Sequence, residues 1–105
     1  MGKKEYLTEI NDFIKRLQKD FTIYKIILFG SRAAGTARED SDVDLIIVSD
    51  DFEGMNIFKR GAKMYDYWKF MIPVDFICLT VKEFNALKKK ISIVSTALEE
   101  GIILA

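Results

Sequence analysis

The sequence predicts an α/β (α+β) fold, a small mixed sheet of three to four strands flanked by helices. Three observations carry that expectation. Short apolar runs of strand length occur at Tyr24–Phe29, Val43–Val48 and Val74–Leu79. Segments with apolar residues at three- and four-residue spacing separate them. Glycine, proline or acidic clusters mark the joins. With 105 residues, half of them apolar, the chain fits one core, so residues 1–105 read as one domain.

Leu7, Ile10, Ile14 and Leu17, with Phe13 beside them, predict an amphipathic helix over about residues 4–19. Tyr24–Phe29 is apolar apart from Lys25 and reads as a strand covered on both faces. Gly30 ends it, and Gly35 closes a segment of one or two helical turns. Thr36–Ser41 is polar and reads as a surface loop. The second strand, Val43–Val48, stops at Ser49-Asp50-Asp51, and Gly54 breaks the chain again. Ile57, Met64 and Trp68 predict a helix over about 56–69, weakened by Gly61. Pro73 precedes the third strand, Val74–Leu79. Thr80 and Glu83 fit a capping box ahead of a short helix, which Lys88-Lys89-Lys90 interrupts. Ile91–Glu100 reads as a last helix, with Gly101 suited to the left-handed position after it. The tail Ile102–Leu104 is either a small edge strand or a docking segment.

Composition narrows the chemistry. Sixteen basic and sixteen acidic residues give zero formal charge, which argues against a chain built mainly to grip nucleic-acid backbone. With no histidine and one cysteine, a zinc site would need an unusual all-carboxylate set. Oxygen ligands are plentiful, so Mg²⁺ or Mn²⁺ is the metal to expect. Cys78 lies inside an apolar run and reads as a buried small hydrophobe. The start, Met1-Gly2-Lys3-Lys4-Glu5, has no apolar leader core, and no run reaches membrane-spanning length. A cytoplasmic setting without membrane contact is expected.

Three carboxylates stand out because they sit in apolar strands. Side chains two apart on a strand share a face, so Asp42 and Asp44 point the same way, with Ile46 and Val48 beyond them. Unpaired and partly buried, Asp44 would be costly or would take up a proton. Two carboxylates side by side can instead chelate Mg²⁺. The alternative is that both are strand-start residues capped by backbone N–H groups. Asp75 stands second in the third strand, and if that strand pairs with the second it arrives beside Asp42 and Asp44. Three such acids can hold cations and deprotonate a hydroxyl nucleophile. Gly30-Ser31, directly after the first strand, allows a sharp turn with backbone N–H groups near a ligand, and Ser31 adds a donor for phosphate. Neither the P-loop pattern nor the dinucleotide pattern is present.

Gly30-Ser31-Arg32-Ala33-Ala34-Gly35, then Ser41-Asp42-Val43-Asp44-Leu45, with Asp75 later, resembles the motif of the polymerase-beta-type nucleotidyltransferase superfamily. Within it the chain resembles the minimal nucleotidyltransferases of archaea and bacteria. These are commonly partners of a HEPN-domain protein, in some cases as the antitoxin of a toxin–antitoxin pair. The resemblance implies that Gly30 and Ser31 hold the triphosphate of ATP, with Arg32 within reach of phosphate. Asp42 and Asp44 bind the metals, and Asp75 completes the site and activates the acceptor. The implied outcome is transfer of AMP to a hydroxyl, on the partner protein rather than on nucleic acid. An antitoxin acting only by occlusion, and a transferase for a small molecule or RNA end, are the competing expectations.

Two surface features complete the reading. Lys59, Arg60, Lys63 and Lys69 read as solvated helix faces, the alternative being that they offset the acids near a phosphate or contact a partner. Tyr65, Tyr67, Trp68, Phe70 and Met71 form an aromatic stretch that one small sheet buries only in part.

Overall fold

A computed structural model describes residues 3–35 and 41–105. The elements are α1 (Lys3–Gln18), β1 (Lys25–Phe29), α2 (Ser31–Ala34), β2 (Val43–Val48), α3 (Ile57–Tyr65), β3 (Val74–Leu79), α4 (Val81–Leu87), α5 (Ile93–Glu100) and β4 (Ile102–Ile103). The strands form one mixed sheet in the order β3-β2-β1-β4. β1 runs antiparallel to β2 and β4, while β2 and β3 are parallel. The expected mixed α/β sheet is present, and the tail resolves as its edge strand. Residues 36–40 of the expected polar loop lie outside the described residues.

Strand alternation sorts the core into two layers. Ile26, Leu28, Val43, Leu45, Ile47, Val74 and Cys78 pack with Ile10, Phe13 and Leu17 of α1 and Met64 of α3. Ile27, Ile46 and Val48, on the other face, pack with Phe84 of α4 and Val94 and Ala97 of α5. Asp44 shares the second face with Ile46 and Val48, so the acids extend the face that the two short helices cover. Burial pushes the Cys78 thiol up to about 12, consistent with its reading as a core residue.

Four expectations need correction. The middle helix ends at Tyr65, not near 69. Beyond it the aromatic stretch turns back on the core: Trp68 packs edge-on against Phe13 at 5.2 Å and donates from Nε1 to the Ile72 carbonyl at 2.9 Å. Arg60 is not a solvated cation but is only 7 % exposed. Its Nε donates to the Met55 carbonyl, and its Nη1 to the Cys78 carbonyl and Glu83. Glu83 also closes the expected capping box with Thr80, and the Arg60 guanidinium holds its carboxyl below the ordinary glutamate range. The last helix starts at Ile93, because Ser92 caps it. Gly101 is extended rather than left-handed. It is small because a Cβ there would lie 2.7 Å from the Leu28 carbonyl oxygen.

Candidate active site

The site forms where β1 ends and β2 and β3 begin. Gly30 adopts φ 74°, ψ −156°, a region in which side-chain-bearing residues are strained. A Cβ there would fall onto Oδ2 of Asp44, with Asp44 Cγ at 3.3 Å. The glycine is therefore required twice, by the turn and by the acid against it. After this turn, the Ala33 and Ala34 N–H groups donate back to the Gly30 carbonyl at 3.1 and 3.0 Å. No described acceptor takes the Ser31 N–H or hydroxyl, so both remain at the mouth of the turn. Gly35, left-handed at φ 78°, closes the single helical turn by donating to the Ser31 carbonyl.

The acids come from neighbouring strands. Phe29 of β1 pairs with Asp44, and Asp44 stands in register with Asp75 across the parallel pair. Burial raises the Asp44 carboxyl above the ordinary range, followed by the charges of Asp75 and Asp42 and a hydrogen bond shared with Asp75. No described backbone N–H is directed at any of the three carboxylates, so backbone capping does not explain them. Among the described residues, however, no three acidic groups close tightly enough to enclose an ion as they stand. Asp44 and Asp75 are the close pair, and Asp42, exposed at the strand entrance, acts on Asp44 through its charge. An all-oxygen, mutually repelling set of this kind fits a hard divalent cation, which relieves the repulsion.

Arg32 is turned toward the entry of β2. It is only 8 % exposed, and its Nε and Nη2 both donate to the Ser41 carbonyl, at 3.1 and 2.7 Å. Its guanidinium lies 4.9 Å from the centre of the Tyr6 ring. Rather than reaching outward, it ties α2 to the residue before Asp42 and so fixes the entry of β2.

Two contributors were missed by sequence reasoning. A cleft of about 360 Å³ opens beside the Gly30-Ser31 turn, walled by Ile93, Thr96 and Glu100 of α5. Tyr65 lies within electrostatic reach of Asp75 and Asp42, and its hydroxyl donates to the Val74 carbonyl. Neither has a local sequence signal, because each depends on how a helix end meets the sheet.

The model of the nucleotidyltransferase domain matches residues 7–104. The chain belongs to the nucleotidyltransferase domain family. It is 36 % identical over 100 residues to a candidate protein adenylyltransferase of Methanocaldococcus jannaschii, covering 90 % of this chain and 93 % of that one. A candidate nucleotidyltransferase from Sulfolobus solfataricus has the same fold, with a TM-score of 0.70 at 22 % identity, over 96 % of this chain and 80 % of that one. A toxin–antitoxin structure with AMP-PNP matches at a TM-score of 0.59 and 21 % identity, over 90 % of this chain and 71 % of that one. No described helix is long and apolar enough to cross a membrane.

Proposed function

We propose that this member of the nucleotidyltransferase family transfers AMP from ATP to a hydroxyl of a partner protein. The partner is a HEPN-type protein, and the pair forms a toxin–antitoxin system in which this chain is the antitoxin. The carrying observation is that the Asp44 carboxylate sits between the Gly30 turn and Asp75, with nothing described to neutralise it. The name of the Methanocaldococcus relative and the toxin–antitoxin assembly of the AMP-PNP-bound neighbour support the finer reading. Zero formal charge supports a protein acceptor over nucleic acid.

The residue roles follow from position. Gly30 and Ser31 hold the triphosphate, with backbone N–H and hydroxyl donors directed at phosphate oxygens. Asp42 and Asp44, completed by Asp75, hold Mg²⁺ or Mn²⁺. When bound, the cation stabilises the negative charge that builds toward pyrophosphate departure. The acceptor oxygen attacks the α-phosphorus, pyrophosphate leaves, and Asp75, on the open edge strand, takes the acceptor proton. Arg32 is a positioning residue that holds Ser41 and hence the start of β2. The cytoplasm, which supplies ATP, is the compartment this reading requires.

The test is the intact mass of a co-expressed partner after incubation with this chain, ATP and Mg²⁺, beside Asp42→Asn and Asp44→Asn. Gain of AMP masses with the unsubstituted chain alone is the expected result. No gain, with a tight complex still formed, would replace transfer by occlusion.

A further inference from the structure

We infer that the cleft beside the Gly30-Ser31 turn seats the nucleoside of ATP, with Glu100 and Thr96 of α5 reading the ribose hydroxyls. The inference rests on the AMP-transfer reading above and adds the residues that tell a nucleotide from bare polyphosphate.

The cleft opens on the face of the sheet that carries the acids. Phe29, in its lining, stands in register with Asp44 across the antiparallel pair, and such partners share a face. α5 covers that same face, with Val94 and Ala97 packed against Ile27, Ile46 and Val48. Gly30 is the shared wall: it lines the cleft, and a Cβ on it would meet the Asp44 carboxylate. A nucleotide whose α-phosphate lies at Asp44 therefore has the cleft beside it, on the β1 side. Asp75 belongs to β3, on the other side of β2, and leaves that side to the acceptor.

The walls select which part of ATP enters. Ile93, Thr96, Ala97 and Glu100 recur at three- and four-residue spacing, so they share one face of α5. No lysine or arginine stands in the lining, and Glu100 brings a negative charge to it. Phosphate is repelled there, whereas the nucleoside is the uncharged part of ATP. At about 360 Å³ the cleft has the size of a small-molecule site. Phe29 and the half-exposed Ile93 offer apolar surface to the base. A carboxylate is a strong acceptor for ribose hydroxyls, and Thr96, one turn before Glu100, adds a second polar group.

Folding alone does not account for an acid at position 100. Glu100 is the last residue of α5, where the carbonyl end of the helix disfavours negative charge. No basic residue lies in that last turn. Among the described residues, neither the Glu100 carboxylate nor the Thr96 hydroxyl has a side-chain partner. Glu99 bears the same helix-end cost but lies outside the cleft lining, so it separates charge from contact.

The experiment is calorimetric titration of the full chain, with Mg²⁺, by ATP, 2′,3′-dideoxy-ATP and inorganic tripolyphosphate. Glu100→Ala, Thr96→Val and the control Glu99→Ala run in parallel, with circular dichroism to confirm the fold. The expected result is that the wild type binds ATP about tenfold more tightly than either of the other two. Glu100→Ala should bring ATP down to the dideoxy nucleotide and leave tripolyphosphate no weaker, while Thr96→Val loses about two- to threefold on ATP. Glu99→Ala should keep the wild-type preference. Equal binding of ATP and its dideoxy analogue, or a preference that survives Glu100→Ala or is lost equally in Glu99→Ala, would overturn the inference. If tripolyphosphate binds as well as ATP, the nucleoside cleft falls and the triphosphate turn stands. If the wild type binds none of the three, the nucleotide-site reading falls with it.

Discussion

Strand β2 has aspartates at both ends, and the two ends use them in opposite ways. At its C-terminal end, Asp51 Oδ2 accepts from the Thr22 N–H at 2.7 Å and lies 3.4 Å from the Ser49 hydroxyl. Asp50 Oδ1 accepts from the Val81 N–H at 3.0 Å, and so ties this corner to α4. At the N-terminal end, Asp44 faces another carboxylate, Asp75, with Asp42 adding to the repulsion. The first pair satisfies donors that folding would otherwise leave unpaired, whereas the second is a liability that folding alone does not repay. The side-chain type is the same at both ends, although Asp44 lies inside the strand and Asp50 and Asp51 lie in the turn just after it. The partners distinguish a structural acid from a functional one.

The largest expected effect is at the functional end. Asp44→Asn should lower AMP transfer by about 10³-fold, because several kcal/mol of charge stabilisation are removed from the transition state. Rates of partner modification, with circular dichroism to confirm the fold, check this. Gly30→Ala comes next: strain of about 1–3 kcal/mol at its backbone conformation, plus displacement of Asp44, should reduce both stability and transfer. Urea unfolding and the same rate assay would report the two losses separately.

Asp51→Ala should cost about 1–2 kcal/mol of unfolding free energy and leave transfer nearly intact, because it removes an acceptor from the Thr22 N–H. The smallest effect concerns pH. The Asp44 carboxyl binds its proton more tightly in the native state than in the unfolded chain. Its contribution to stability is therefore fully present below the ordinary value of 3.8 and is lost as pH rises through the elevated native value. Asp44→Asn should remove that slope and raise the melting temperature at neutral pH by about 1–3 °C, a modest gain because the group is only partly buried. Melting curves from pH 3 to 7 on both proteins would show it.

Much of this was legible in the sequence, and the reason is local. Three apolar runs of strand length, a Thr80–Glu83 capping box and a glycine after β1 each determine their own neighbourhood. The alternation of Asp44, Ile46 and Val48 against Val43, Leu45 and Ile47 foretold the two faces. The meeting of Asp75 with Asp44 depended on a parallel pairing that the sequence could state only conditionally. What failed to read were side chains whose role is set by a distant carbonyl. Arg60 and Arg32 look alike as exposed helical cations, yet each is drawn inward by backbone acceptors 5 to 18 positions away. Tyr65 looked like one of a packed aromatic run, but the early end of α3 leaves it half exposed beside β3. Gly101 looked like a left-handed cap and instead makes room for the Leu28 carbonyl.

The most direct test of the contrast between the two strand ends is one paired measurement. AMP transfer and urea unfolding would be recorded together for Asp44→Asn and Asp51→Asn, in the same buffer with Mg²⁺ and ATP. The predicted result is a crossing pattern: Asp44→Asn folds at least as stably as the wild type and transfers no AMP, while Asp51→Asn is less stable and still transfers. Continued transfer by a folded Asp44→Asn would contradict the assignment of the N-terminal acids to chemistry.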